Sequence, residues 1–226
     1  MSAVLTVSGL GGGYGETQVL RDFSCQVARG EVLGVLGRNG VGKTTLMRLL
    51  SGSLPAMTGM VHINDRDLTR LPSYARARAG LSYMPQENVI FDDLTVRENL
   101  TLMEPDMARY TALIETFPII GKRLTQKAGT LSGGEKKIVS FARVIAEARP
   151  LALLDEPSEG VQHENLERMA KHIADRCHQG AAFLVVEQNL SFLMQVMHQV
   201  KVLDHGETVL SGRDLHRDQM EKHLKV

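Results

Sequence analysis

The chain has no tryptophan, two cysteines in 226 residues, and a formal net charge of zero. Each shortage excludes something. Cys25 and Cys177 lie far apart and show no metal-ligand spacing. That argues against a disulfide framework or a zinc ribbon and for a reduced, cytosolic protein. The 26 basic side chains balance 26 acidic ones, so no excess of positive charge marks nucleic acid as a partner. No uninterrupted apolar run approaches the roughly 20 residues of a membrane-crossing helix. The N-terminus lacks the basic-then-apolar order of a signal peptide. Any hold on a membrane is therefore expected through partners. No repeat, low-complexity tract or linker divides the chain, and its length suits one domain with a full core.

What is present is a glycine loop. Gly37-Arg38-Asn39-Gly40-Val41-Gly42-Lys43-Thr44-Thr45 fits Gly-x-x-x-x-Gly-Lys-[Ser/Thr]. An apolar run at 31–36 precedes it and reads as a buried strand. An apolar-periodic run at 45–50 follows and reads as the first turns of a helix. Strand, glycine loop and helix start aim several backbone N–H groups at one anion. Lys43 is placed to reach outer phosphates, and the Thr44 hydroxyl to ligate Mg²⁺. The alternative, a glycine turn with an incidental lysine, leaves the flanking strand and helix unexplained.

The remaining pattern is strands first. Residues 4–7, 22–27 and 60–64 read as an antiparallel layer, with Gly30 and Gly59 as turn residues. A short strand is expected at 81–84. From 95 to 124 the pattern turns helical, punctuated by Pro105 and Pro118. Strands at 151–154, 182–187 and 200–204 alternate with helices near 163–178 and 189–198, which implies a parallel α/β core. Residues 214–224 are polar and read as a helical surface appendage.

Leu131-Ser132-Gly133-Gly134-Glu135 stands before a helical run at 136–148, and Leu153-Leu154-Asp155-Glu156-Pro157 follows it. With the loop at 37–45, these motifs resemble the ATP-binding subunit of an ABC transporter over almost the whole chain. The resemblance implies one cassette domain over residues 1–226, a P-loop NTPase with a parallel core sheet, an antiparallel β subdomain and a helical insert at about 88–145. It implies ATP and Mg²⁺, with ATP hydrolysed to ADP and phosphate. A serine and two glycines at a helix N-terminus form a second phosphate-binding device. In the family, Ser132, Gly133 and Gly134 would serve the nucleotide held by a second cassette. The plain alternative for these three is an ordinary N-cap turn.

The family pattern assigns Asp155 to the metal and Glu156 to the attacking water, as phosphoryl transfer needs positioning and charge neutralisation. Gln86, in Met84-Pro85-Gln86, would reach the metal and water; a polar seam residue is the plain alternative. Tyr14 matches the aromatic that stacks on adenine, or is a tyrosine in a glycine turn. Glycines 9–13 lack the strand-to-helix context of a dinucleotide loop. The histidines on predicted helices, among them His163, His172, His178 and His198, form no metal triad and read as surface residues.

Two departures narrow the resemblance. Gln188 stands where a histidine usually touches the γ-phosphate, and Gln162 where an aspartate usually ends the dimer-contact loop. Both resemble the importer cassettes for branched-chain amino acids, urea and short amides. Glu159-Gly160, Glu187-Gln188-Asn189 and Phe117-Pro118 fit that branch. Lys136-Lys137, where glutamines are common, does not. The implied partners are membrane-spanning permease subunits, a second cassette and, indirectly, a solute-binding protein, with no nucleic acid. The implied location is the cytoplasmic face of the membrane. The permease is expected to grip a groove around 88–93, with Phe91 as an apolar anchor. The rival readings are a lipid or lipopolysaccharide exporter cassette and a non-transport ABC protein.

Overall fold

Apolar side chains at 4, 5, 7, 10, 20, 23, 25 and 27 bury one face of a hairpin, β1 (Ala3–Tyr14) and β2 (Thr17–Ala28). The computed structural model that shows this describes residues 3–87 and 89–224. The next strand, β3 (Val32–Leu36), is buried along its length, as an uninterrupted apolar run requires. The glycine loop then turns into α1 (Lys43–Ser51). The chain returns to the first layer through β4 (Thr58–Ile63) and the two-residue β5 (Arg66–Asp67). These four strands form an antiparallel sheet, β2-β1-β4-β5. The strand expected at 60–64 starts and ends earlier, because Asn64 has φ 47° and turns the chain away.

A short helix, α2 (Ser73–Arg78), leads to β6 (Leu81–Met84). The helical insert contains α3 (Val96–Thr101), α4 (Thr111–Thr116) and α5 (Pro118–Arg123), with Pro118 at the first turn of α5, where its missing N–H is tolerated. The residue at which the insert was expected to begin, 88, lies outside the described residues. The helix that begins in the Leu131–Glu135 signature, α6 (Gly133–Glu147), starts three residues earlier than the expected 136. The Ser132 hydroxyl accepts from the Glu135 N–H, and the Glu135 carboxylate accepts from the Ser132 N–H; this reciprocal cap fixes the start.

The second half alternates β7 (Leu151–Asp155), α7 (His163–His178), β8 (Ala182–Glu187), α8 (Leu190–Val196) and β9 (Gln199–Asp204). Strands β9, β3, β8, β7 and β6 run parallel, and β10 (Glu207–Gly212) adds an antiparallel edge. One core fills the space between the two sheets, with Leu46, Met47, Leu49 and Leu50 of α1 inside it. The other lies on the far face of the parallel sheet, under α6, α7, α8 and the insert.

Other elements also escaped the sequence reading or differ from it. β10 was not expected, and neither was α2. The final helix, α9 (Arg217–Glu221), is no mere appendage: Met220 is fully buried, and Leu215 and Leu224 pack on the same core. α2 positions Arg76, which is 1% exposed. Its guanidinium donates to the carbonyls of Leu49 and Leu50, at the end of α1, and of Thr69 and Leu71. It satisfies helix-end acceptors that would otherwise be orphaned.

Candidate functional site

Strand β3 ends at Leu36 and delivers the loop. Gly40 (φ 82°) and Gly42 (φ 109°) take backbone conformations that favour glycine, and a side chain at Gly37 would strike the Leu203 carbonyl. Gly42 precedes α1, and no side chain caps that helix. Its first N–H groups therefore face a cavity of about 240 Å³ lined by Asn39, Gly40, Gly42, Lys43, Thr44, Thr45, Gln86 and Glu156. Helix N-termini presented in this way attract anions.

Lys43 is 4% exposed. Its ammonium donates to the carbonyl oxygens of Gly37 (2.8 Å) and Arg38 (2.9 Å) and pairs with Glu156 Oε1 at 3.0 Å. Thr44 Oγ1 donates to Gln86 Oε1 at 3.4 Å, and Gln86 Nε2 donates to Glu156 Oε2 at 3.1 Å. Glu156 sits at φ 48°, just past β7, where its N–H is held by the Val186 carbonyl. The carboxylate is thus aimed back at the loop by an unusual backbone turn.

Asp155 is fully buried. Tyr83 donates to its Oδ2 at 3.3 Å, while its Oδ1 has no partner among the described residues. Burial, and then the charge of Glu156, push its carboxyl up to about 6. Thr44, Gln86 and Asp155 line one cavity, and together their side chains offer oxygen donors, which suit a hard divalent cation. The residues fit Mg²⁺.

The structure therefore gathers residues 37–45, Gln86, Asp155 and Glu156. Three predicted groups lie outside that cluster. Ser132 and Gly134 line a second cavity, with Glu135, Gly160 and Gln162, that shares no residue with the first. Gly133 begins α6 beside them. Tyr14 ends β1, half exposed, with the Arg48 guanidinium 5.9 Å from its ring centroid and donating to its hydroxyl at 3.1 Å. Val19, rather than Tyr14, lines the loop cavity. Gln188 follows β8 with its side chain exposed. Asn189, not Gln188, caps α8, accepting from the Phe192 N–H.

Sequence reasoning missed two residues that build this site. Glu187 is buried and accepts from the N–H groups of Ser158, Gln188 and Asn189, joining the loop after Glu156 to the turn bearing Gln188. Burial raises its pKa. A glutamate ending an apolar strand was the available signal. Tyr83 was the other; burial raises its pKa, and so does the Asp155 charge.

The family model for ABC transporters matches residues 20–159. This chain belongs to the ABC transporter ATP-binding family. As an ABC cassette it is 34% identical over 219 residues to a probable ABC transporter ATP-binding protein of Azorhizobium caulinodans, covering 92% of this chain and 76% of the relative. It is 32% identical over 203 residues to the high-affinity branched-chain amino acid transport ATP-binding protein BraG of Pseudomonas aeruginosa, covering 87% of each. It is 34% identical over 223 residues to the lipopolysaccharide export system ATP-binding protein LptB of Escherichia coli, covering 93% of this cassette and 90% of LptB. A solved ATP-binding subunit of an ABC transporter superposes with a TM-score of 0.86 at 24% identity, covering 98% of this cassette and 99% of that chain, which speaks to fold alone. The cassette is the ATP-binding subunit of a transporter, an ATPase coupled to transport. No helix among the described residues is long and apolar enough to cross a membrane.

Proposed function

We propose that this cassette energises an importer, with branched-chain amino acids, urea or short amides as the cargo class. The observation that carries the importer reading is Glu187-Gln188-Asn189 at the end of β8. Exporter cassettes resembling this one tend to carry histidine where Gln188 stands. The similarity to BraG supports the same reading. The similarity to LptB favours lipopolysaccharide export as the second reading.

In the proposed reaction, ATP and water give ADP and phosphate. The N–H groups of residues 38–45 and the Lys43 ammonium bind the phosphates, and Tyr14 stacks on adenine. Thr44, Asp155 and Gln86 hold Mg²⁺, which when bound neutralises phosphate charge. Glu156 orients and polarises the attacking water. Gln188 donates its amide N–H to the terminal phosphate. Ser132, Gly133 and Gly134 serve the nucleotide of a second cassette, so that two chains enclose two ATP molecules. Their separate cavity supports that division of labour.

Closure would act on permease subunits through an apolar groove lined by Tyr83, Phe91, Leu102, Met103, Arg143 and Glu147. Phe91 is 60% exposed there, as a docking anchor needs. Residue 88, included in the expected groove, lies outside the described residues. The cassette would then work at the cytoplasmic face of the membrane, with a solute-binding protein supplying cargo. The test is uptake of labelled branched-chain amino acids and urea in cells with and without the cassette, alongside identification of membrane subunits that co-purify. Loss of uptake supports import. Intact uptake with a lipopolysaccharide transport defect supports the second reading.

A further inference from the structure

Lys137 is a buried cation that the reaction above does not use. It lies on the signature helix, one turn beyond Ser132-Gly133-Gly134, and is 6% exposed. Its ammonium donates to the Glu156 carbonyl oxygen at 2.9 Å and lies 3.6 Å from Glu159 Oε2. Gln86 Nε2 donates to both Glu156 Oε2 (3.1 Å) and Glu159 Oε2 (3.4 Å). A continuous polar chain thus runs from Lys43 through Glu156, Gln86 and Glu159 to Lys137. The backbones meet as well. A Cβ at Gly134 would lie 2.3 Å from the Gly160 carbonyl oxygen, so the signature turn rests directly on the loop that carries Glu159.

Two features make this more than packing. The Glu156 backbone is held at φ 48°, and its carbonyl is the acceptor that Lys137 fixes. The same ammonium lies 3.6 Å from Glu159 Oε2, an ion pair that a neutral donor at this position could not form.

We propose that Lys137 and Glu159 are positioning residues for ATP hydrolysis. They fix the turn that aims Glu156 and tie it to the signature helix, so the nucleotide held by this chain and the signature lent to the partner cassette are mechanically joined. Lys137 supplies the grip on the backbone, and Glu159 orients Lys137 and Gln86 together. Neither touches the reacting atoms. Their loss should therefore lower kcat while leaving the KM for ATP nearly unchanged. The inference rests on Glu156 as the hydrolytic carboxylate.

The test is steady-state ATPase kinetics of the full chain with its partner cassette, with melting curves for each variant. Lys137→Met removes the donor and should lower kcat about tenfold, with KM within about twofold of wild type. Lys137→Gln restores a donor without the charge and should recover kcat to within about threefold of wild type. Adding Glu159→Gln to Lys137→Met should lower kcat by less than about twofold more, because the pair acts as a unit. Wild-type kcat in Lys137→Met, equal losses in the Met and Gln variants, or additive losses in the double variant would overturn the proposal. Should Lys137→Met fail to fold, Lys137→Gln and Glu159→Gln complete the same cycle, and additivity there overturns it equally. Glu156→Gln, measured alongside, separates the two claims. If it keeps turnover, the assignment of Glu156 has failed; if it loses turnover while the Lys137 variants match wild type, the positioning proposal has failed.

Discussion

Gln188→Ala separates a phosphate contact from a structural one, and the structure sets both magnitudes. The Gln188 side chain is exposed and makes no hydrogen bond among the described residues; its backbone N–H donates to Glu187 Oε2 at 3.2 Å and survives the substitution. Stability should therefore change by no more than about 0.5 kcal/mol. If the amide donates to the terminal phosphate, its loss removes one hydrogen bond to a charged group. That contributes on the order of 1.5–3 kcal/mol, or about one to two decades in kcat if expressed only in the transition state. Gln188→His should retain more activity than alanine, because an imidazole N–H restores a donor. Asn189→Ala is the matched control. It deletes the cap on the Phe192 N–H and should lower stability by about 0.5–2 kcal/mol, with turnover per folded molecule unchanged. The assay is steady-state phosphate release by the assembled transporter, paired with thermal melting. Equal turnover of wild type and Gln188→Ala would refute the reasoning.

Lys43→Ala should weaken ATP binding by calorimetry and abolish hydrolysis; it also leaves the buried Glu156 without its 3.0 Å partner, so a clear drop in melting temperature is expected. Arg76→Ala should destabilise by about 3–5 kcal/mol in denaturant unfolding, because four carbonyls lose a buried donor; Arg76→Lys, lacking the planar fork, should recover only part. Glu147 is a pH probe away from the reaction. Burial raises its folded pKa despite the Ser82 hydroxyl at 2.7 Å, so its favourable term is full below the unfolded pKa and lost as pH rises through the folded one. Glu147→Gln should therefore unfold at higher denaturant than wild type near neutral pH, with the gain fading below about pH 4. A gain that instead grew on acidification would contradict that sign.

Much of this architecture was legible because apolar runs and glycines carry direct physical meaning. Buried runs at 32–36, 151–155 and 182–187 had no other stable place than a parallel core. The glycine loop was legible for the same reason, since left-handed φ at Gly40 and Gly42 leaves a narrow choice of residue. Illegible features were those set by distant partners. Arg76 reads as one more basic residue until the α1 carbonyls surround it. Glu187 and Lys137 read as charges on the ends of elements, yet both are buried on backbone groups brought from elsewhere in the chain. β10 alternates polar and apolar residues weakly, and only pairing with β9 makes it a strand. The polar tail at 214–224 hid the fully buried Met220.

The central claim is that Glu156, turned back on the phosphate loop, drives ATP hydrolysis coupled to transport. The most direct measurement is phosphate release by wild type and Glu156→Gln, with ATP binding followed in the same samples. Glu156→Gln should bind ATP at least as well, because Lys43 is freed from its ion pair. It should lose at least about 100-fold in turnover, the scale of a lost general base. With ATP and Mg²⁺ it should also accumulate as a cassette dimer on size exclusion. Turnover above about half of wild type, in a variant that binds ATP normally, would contradict the account.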